Sequence, residues 1–191
     1  VRSGGVVAVD GDVLGLAASQ ALRSKLGAAG VALKTDGDIL AEAWEERAEL
    51  PQARVYEHAA PHAPQPRSAK LAHVRAAMAA LGATHHFVST VDDIAWITNL
   101  RGADVDYNPV FLAHLLIARD GATLFVGAGK IDAALQAALA ADGVRLADYA
   151  AAGPALAALP KDAVLLVDPR RITLGFREQV ADGVTVIEAI N

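Results

Sequence analysis

Two neighbouring carboxylates, Asp92 and Asp93, are the first groups in the chain with the makings of chemistry. Paired acids can act as general acid and base, or hold a magnesium ion in a nuclease of ribonuclease-H-like topology. The same residues also close the pattern Thr90-Val91-Asp92-Asp93, an [ST]-x-x-[DE] capping box that opens a helix. Acids in a first turn complement the helix dipole, so capping is the stronger reading. The six histidines are scattered. His85 and His86 are adjacent on an expected strand, where successive side chains point to opposite faces and cannot chelate together. His58 and His62 lie in a proline-rich stretch, where solvated histidines are the default.

The most unusual segment begins Asn99-Leu100-Arg101-Gly102-Ala103-Asp104 and continues through Tyr107-Asn108-Pro109-Val110-Phe111. It is polar and glycine-containing, and strongly apolar elements flank it. Arg101 could grip a carboxylate with both arms of its guanidinium. Asp104 or Asp106 could instead neutralise it within the chain. Loops held on a rigid scaffold often carry function, so an ordered loop and a functional one are compatible. Asn99, Arg101, Asp104, Tyr107 and Asn108 are the candidate site residues.

Composition narrows the rest. The chain has 191 residues, 53% hydrophobic and 20% charged, which predicts a packed core. The net charge is -5 and the longest basic run is Arg170-Arg171, a poor footprint for nucleic acid. There are no cysteines, which removes thiol nucleophiles, disulfides and thiolate metal sites. No HExxH, GxSxG or phosphate-binding glycine loop is present. No apolar run approaches the roughly 18 residues of a membrane span, and no signal-peptide pattern opens the chain. A start at Val1 points to a fragment or a processed product.

These residues need an α/β scaffold to position them. Residues 1–50 read as a short α/β unit, with strands near 6–9 and 31–34 around a helix at 17–29 that carries Leu22 and Leu26 on one face. Asp38 is placed to cap a further helix towards Leu50, with Ile39, Ala43 and Trp44 near one face and Pro51 as its stop. Residues 51–66 contain four prolines and read as a linker between domains. From residue 67 a longer alternation follows. Helices are expected at 68–81, 92–98, 131–141, 154–159 and 172–180. Strands are expected at 84–89, 110–118, 123–126, 144–149, 163–167 and 184–188. The turn Arg119-Asp120-Gly121 makes one hairpin. The outcome is an α/β fold with a mixed sheet of about six strands flanked by helices.

The run Val91-Asp92-Asp93-Ile94-Ala95-Trp96-Ile97-Thr98-Asn99-Leu100-Arg101-Gly102, with Asp104 and then Tyr107-Asn108-Pro109-Val110-Phe111, resembles the DEIAWLxNLRGxDxxxNPVF signature of three-domain Xaa-Pro aminopeptidases, of the M24 metallopeptidase family. Asp93 stands where that pattern has Glu. Residues 39–47, with Trp44 and Arg47, are similar to the segment that closes the family's first domain, without its following Pro. The resemblance implies that residues 1–50 are the tail of a first α/β domain, 51–66 a linker, and 67–191 a second domain of the creatinase/prolidase N-terminal type.

The family carries its two Asp, one His and two Glu metal ligands on a C-terminal pita-bread domain, where two divalent ions, commonly manganese, activate water against the bond before proline. Nothing in this chain matches those motifs, so no catalytic residue and no cofactor of its own is expected. The implied partners are a C-terminal catalytic domain of the same chain and, in the parent, a peptide substrate, with no nucleic acid and no membrane. Homodimerisation of the parent stays open, and a cytoplasmic setting is implied. The loop at residues 99–108 is expected to face the substrate entrance or the interdomain contact. A prolidase or creatinase relative, and a stand-alone binding module that reuses the fold, are the competing readings.

Overall fold

The structure, a computed structural model, describes every residue except 39, 42, 45 and 191. The elements run β1 (Val6–Ala8), α1 (Leu16–Ala28), β2 (Ala32–Lys34), β3 (Tyr56–Glu57), α2 (Arg67–Ala80), β4 (His85–Val88), α3 (Val91–Thr98), β5 (Leu100–Arg101), β6 (Ala113–Ala118), β7 (Ala122–Val126), α4 (Ala133–Ala141), β8 (Val144–Asp148), a 3₁₀ turn (Tyr149–Ala151), α5 (Ala152–Ala157), β9 (Val164–Val167), α6 (Leu174–Glu178) and β10 (Thr185–Glu188).

Six strands make the main sheet in the order β10-β9-β4-β6-β7-β8. It is mixed. β4, β9 and β10 run parallel, β6 is antiparallel to β4 and to β7, and β8 is parallel to β7. The antiparallel β6–β7 pair is the expected hairpin, closed by Ala118 N–H donating to Gly121 O at 2.8 Å. Strand alternation splits the core into two faces. Val88 and Leu166 look towards α2 and α3 with Leu71, Met78 and Ile94. Phe87, Leu165 and Val167 look the other way, onto Leu156, Leu174 and Leu16. Both faces are covered, which is why strands such as Val164–Val167 read as unbroken apolar runs.

The first unit is a parallel pair, β1 and β2, joined by α1. It is stitched to the edge of the main domain by backbone. Leu16 N–H donates to Ile172 O at 2.9 Å, and Leu174 and Gly175 N–H donate to Leu14 O and Gly11 O at 2.7 Å each. Arg23 reaches Glu178 at 2.6 Å across the same seam.

Three expectations need correction, and a fourth gains detail. Asp38 accepts from Leu40 N and Ala41 N at 3.1 Å each, so the cap forms, but no helix follows among the described residues of 38–50. Leu40, Ala43 and Trp44 are exposed there, so none of the described residues of the expected face packs a helix down; Ile39 lies outside the described residues. The expected linker at residues 51–66 includes β3, which pairs antiparallel with β5, Tyr56 opposite Arg101. Residues 110–112 are not strand, because their backbone turns to Asp104: Val110 O accepts from Asp104 N–H at 3.2 Å and Leu112 N–H donates to Asp104 Oδ2 at 2.7 Å. Thr90 is the N-cap of α3, yet its hydroxyl makes no capping bond and is buried without a hydrogen-bond partner.

Candidate functional site

The polar loop starts where α3 stops. Asn99 adopts φ 55° and ψ 28°, the left-handed conformation that ends helices and that Asn tolerates better than most residues. The last carbonyls of α3 run out of α-helical partners, with Trp96 O accepting only a long 3.4 Å bond from Asn99 N–H, and carry the negative end of the dipole. Three cations converge on them. Arg67 Nε donates to Thr98 O at 2.6 Å, Lys70 Nζ to Trp96 O at 2.8 Å, and Arg101 Nη1 to Ala95 O at 2.7 Å. Lys70 also donates to Asn99 Oδ1 at 2.6 Å and lies 4.5 Å from the centre of the Trp96 ring. Burial, then the nearby charge of Arg101, lowers the Lys70 pKa. Arg67 is itself buried and spends its remaining nitrogens on Asp142 and Glu57.

Beyond the helix end the loop folds onto the core. A Cβ on Gly102 would come within 2.7 Å of Phe111 Cβ and 3.2 Å of Val110 O, so only glycine fits that close approach. Asp104 turns inwards. Its Oδ2 accepts from Leu112 N at 2.7 Å and pairs with Lys130 Nζ, while Oδ1 is buried without a hydrogen-bond partner. Lys130 also donates to Pro51 O at 3.2 Å, and Val55 N–H donates to Lys130 O at 2.9 Å. The tip then leaves the surface: residues 105–109 are exposed.

The five candidate residues therefore divide. Asn99, Arg101 and Asp104 belong to the base, and Tyr107 and Asn108 to the exposed tip. Arg101 pairs with no acid among the described residues, and its Nη1 donates to the carbonyls of Ala95 and Leu100 at 2.7 and 2.8 Å. Asp104 is neutralised by Lys130 instead. The cations Arg67, Lys70 and Lys130 were not foreseen. One signal existed: Arg67 and Lys70 sit in the first turn of α2, where that helix's own dipole disfavours cations.

A second polar group is buried on the opposite sheet face. His114 packs against Phe87, Tyr149 and Phe176, with ring centroids 5.6, 4.8 and 4.6 Å away. Its Nδ1 lies 3.2 Å from Ser89 Oγ. Burial pushes its pKa down to about 4, so it is a neutral packing group at ordinary pH. His58 and His62 stack on each other at 5.5 Å. Among the described residues, no group of three or more His, Cys, Asp or Glu side chains is placed to hold a metal ion. Asp92 and Asp93 lie in the first turn of α3.

A six-stranded mixed α/β domain with an extra βαβ unit at its edge is a recognisable class. Over its whole length the chain superposes on 32% of the X-prolyl aminopeptidase of Caenorhabditis elegans, a cytosolic enzyme with a di-nuclear active site, with a TM-score of 0.91 at 19% identity. That likeness establishes the fold. The chain belongs to the creatinase/prolidase N-terminal domain family, whose pattern matches residues 46–191. It is 34% identical over 149 residues to a probable Xaa-Pro aminopeptidase P of Metarhizium acridum, which covers 76% of this chain and 24% of the relative. The corresponding protein of Leptosphaeria maculans is 30% identical over 164 residues, 85% of this chain and 27% of the relative. The chain thus spans about a quarter of the length of these curated relatives and corresponds to an N-terminal portion of them.

Proposed function

We propose that this chain is a non-catalytic N-terminal part of an Xaa-Pro aminopeptidase, and that its loop at residues 99–108 borders the substrate entrance or the contact with a catalytic domain. The observation that carries the reading is the divided loop: a base locked by Arg67, Lys70 and Lys130, and an exposed tip carrying Tyr107 and Asn108. A rigid base with an exposed tip is what a positioning loop needs. The relatives' names supply the chemistry: removal of an N-terminal residue that precedes proline. In this reading residues 1–50 close a first domain, 51–66 connect, and 67–191 form the second. The catalytic ions, two divalent cations with manganese favoured, sit on the following domain, and the whole works in the cytoplasm.

The test is expression of the longer protein beside residues 1–191. The longer protein is expected to release the first residue from peptides with proline second, and to lose that activity on chelation. The 191-residue chain is expected to release none. Absence of such cleavage by the longer, metal-loaded protein overturns the proposal.

A further inference from the structure

Residues 105–108 close a tight turn, with Asn108 N–H donating to Val105 O at 3.2 Å. Tyr107 occupies the third position with φ 62°. That position, at positive φ, is normally given to Gly or Asn, because a larger residue is strained there. No contact among the described residues offsets the strain: Tyr107 is 107% exposed, as open as in an extended peptide. Val105 beside it is also exposed at 42%. Beneath them the loop is fixed, by Gly102 against Phe111 and by Asp104 against Lys130 and Leu112 N. A strained backbone on a rigid pedestal thus presents an aromatic ring to empty solvent.

We infer that Tyr107 is a docking residue whose ring inserts into an apolar pocket on the polypeptide that follows this chain in the longer protein. The inference rests on the reading above and names the partner of that loop. The curated relatives are about four times the length of the region they share with this chain, so most of the protein lies outside it. Asp106 is the one charge in the tip, so the surface suits an apolar pocket with a polar rim better than a charged ligand. Tyr has only two side-chain torsions to freeze and is favoured at the centre of protein contacts.

Nitration by tetranitromethane tests this in the full-length protein without substrate. Tyr107 is expected to react at least tenfold more slowly in the native protein than in the same protein unfolded in urea. Any smaller protection overturns the inference. Protection that appears only on adding an Xaa-Pro peptide also overturns it, and assigns the ring to the substrate. Tyr107→Gly relieves the backbone strain, yet docking predicts a lower thermal midpoint of the full-length protein and faster deuterium uptake at residues 103–110. An unchanged or higher midpoint with unchanged uptake counts against docking. None of these readouts is peptide cleavage, so failure of the aminopeptidase reading would be seen separately.

Discussion

Asp104 and Lys130 form an ion pair whose two side chains are almost wholly withdrawn from water, 0% and 2% exposed. It ties the polar loop to the segment that follows β7, and through Pro51 O and Val55 N to the chain that enters the main domain. A buried pair is weak evidence for stability, because both charges lose hydration. Removing one partner is another matter, since the other charge is left buried and alone. Lys130→Met keeps the apolar stem and strands Asp104. It is expected to cost about 3–5 kcal/mol in urea unfolding. The double variant Asp104→Asn/Lys130→Met should recover a substantial part of that loss. A single variant as stable as the parent would show that the pair does not hold the loop.

Asn99 combines a conformational and a polar role, and two substitutions separate them. Asn99→Gly keeps the left-handed turn but gives up the bonds to Lys70 and to Gln65 O, the latter 2.9 Å. A hydrogen bond to a charged group is worth about 1.5–3 kcal/mol. Asn99→Ala loses the same bonds and adds about 1–2 kcal/mol for a β-carbon in left-handed geometry. Chemical denaturation is expected to rank parent above Gly above Ala. Equal stability of the two variants would mean that backbone strain at this helix end is negligible.

How much of this was written in the sequence differs from element to element. The 68–81 helix was legible because Leu71, Val74 and Met78 recur at helical spacing, and α2 buries Leu71 and Met78. Strand β9 was legible as a short apolar run. The helix expected after Asp38 failed because a cap starts a helix only where an apolar face then packs, and Leu40 and Trp44 face solvent. At the loop, Asn99, Arg101 and Asp104 drew notice as polar residues between apolar elements. The cations that hold this base did not, because Arg67, Lys70 and Lys130 lie 26 to 31 positions from the groups they meet, Thr98 O, Asn99 and Asp104. Local spacing carries no record of which cation meets which carbonyl. That is decided by the crossing of α2 over the end of α3.

Gly102 sits where the loop passes closest to the core. Gly102→Ala would press a methyl against the side chain of Phe111, itself fully buried and unable to retreat. Overpacking of this kind costs about 1–3 kcal/mol. The displacement should reach Asp104 as well, whose N–H donates to Val110 O at 3.2 Å. Hydrogen exchange across residues 100–112 is the measurement, with faster exchange at Asp104 and Leu112 as the expected result. Unchanged exchange would show that the loop yields without losing its bonds.

His114 gives a pH dependence whose sign is opposite to that of a salt-bridged histidine. Burial against Phe87, Tyr149 and Phe176 holds its folded pKa near 4, below the ordinary 6.5. Between those values the unfolded chain binds a proton that the folded chain refuses. Stability therefore rises with pH through this window, is fully present above about 6.5, and is lost as pH falls towards 4. The effect is on the order of 3 kcal/mol across the window. Carboxylates also titrate at its lower end, so the comparison that isolates His114 is with His114→Phe, which keeps an aromatic ring in the cluster and removes the titrating group. Urea midpoints at pH 7, 5.5 and 4.5 are expected to fall steeply in the parent and less so in the variant. Parallel slopes would show that His114 admits its proton without disturbing the aromatic cluster, and that the buried ring is not what makes this face acid-sensitive.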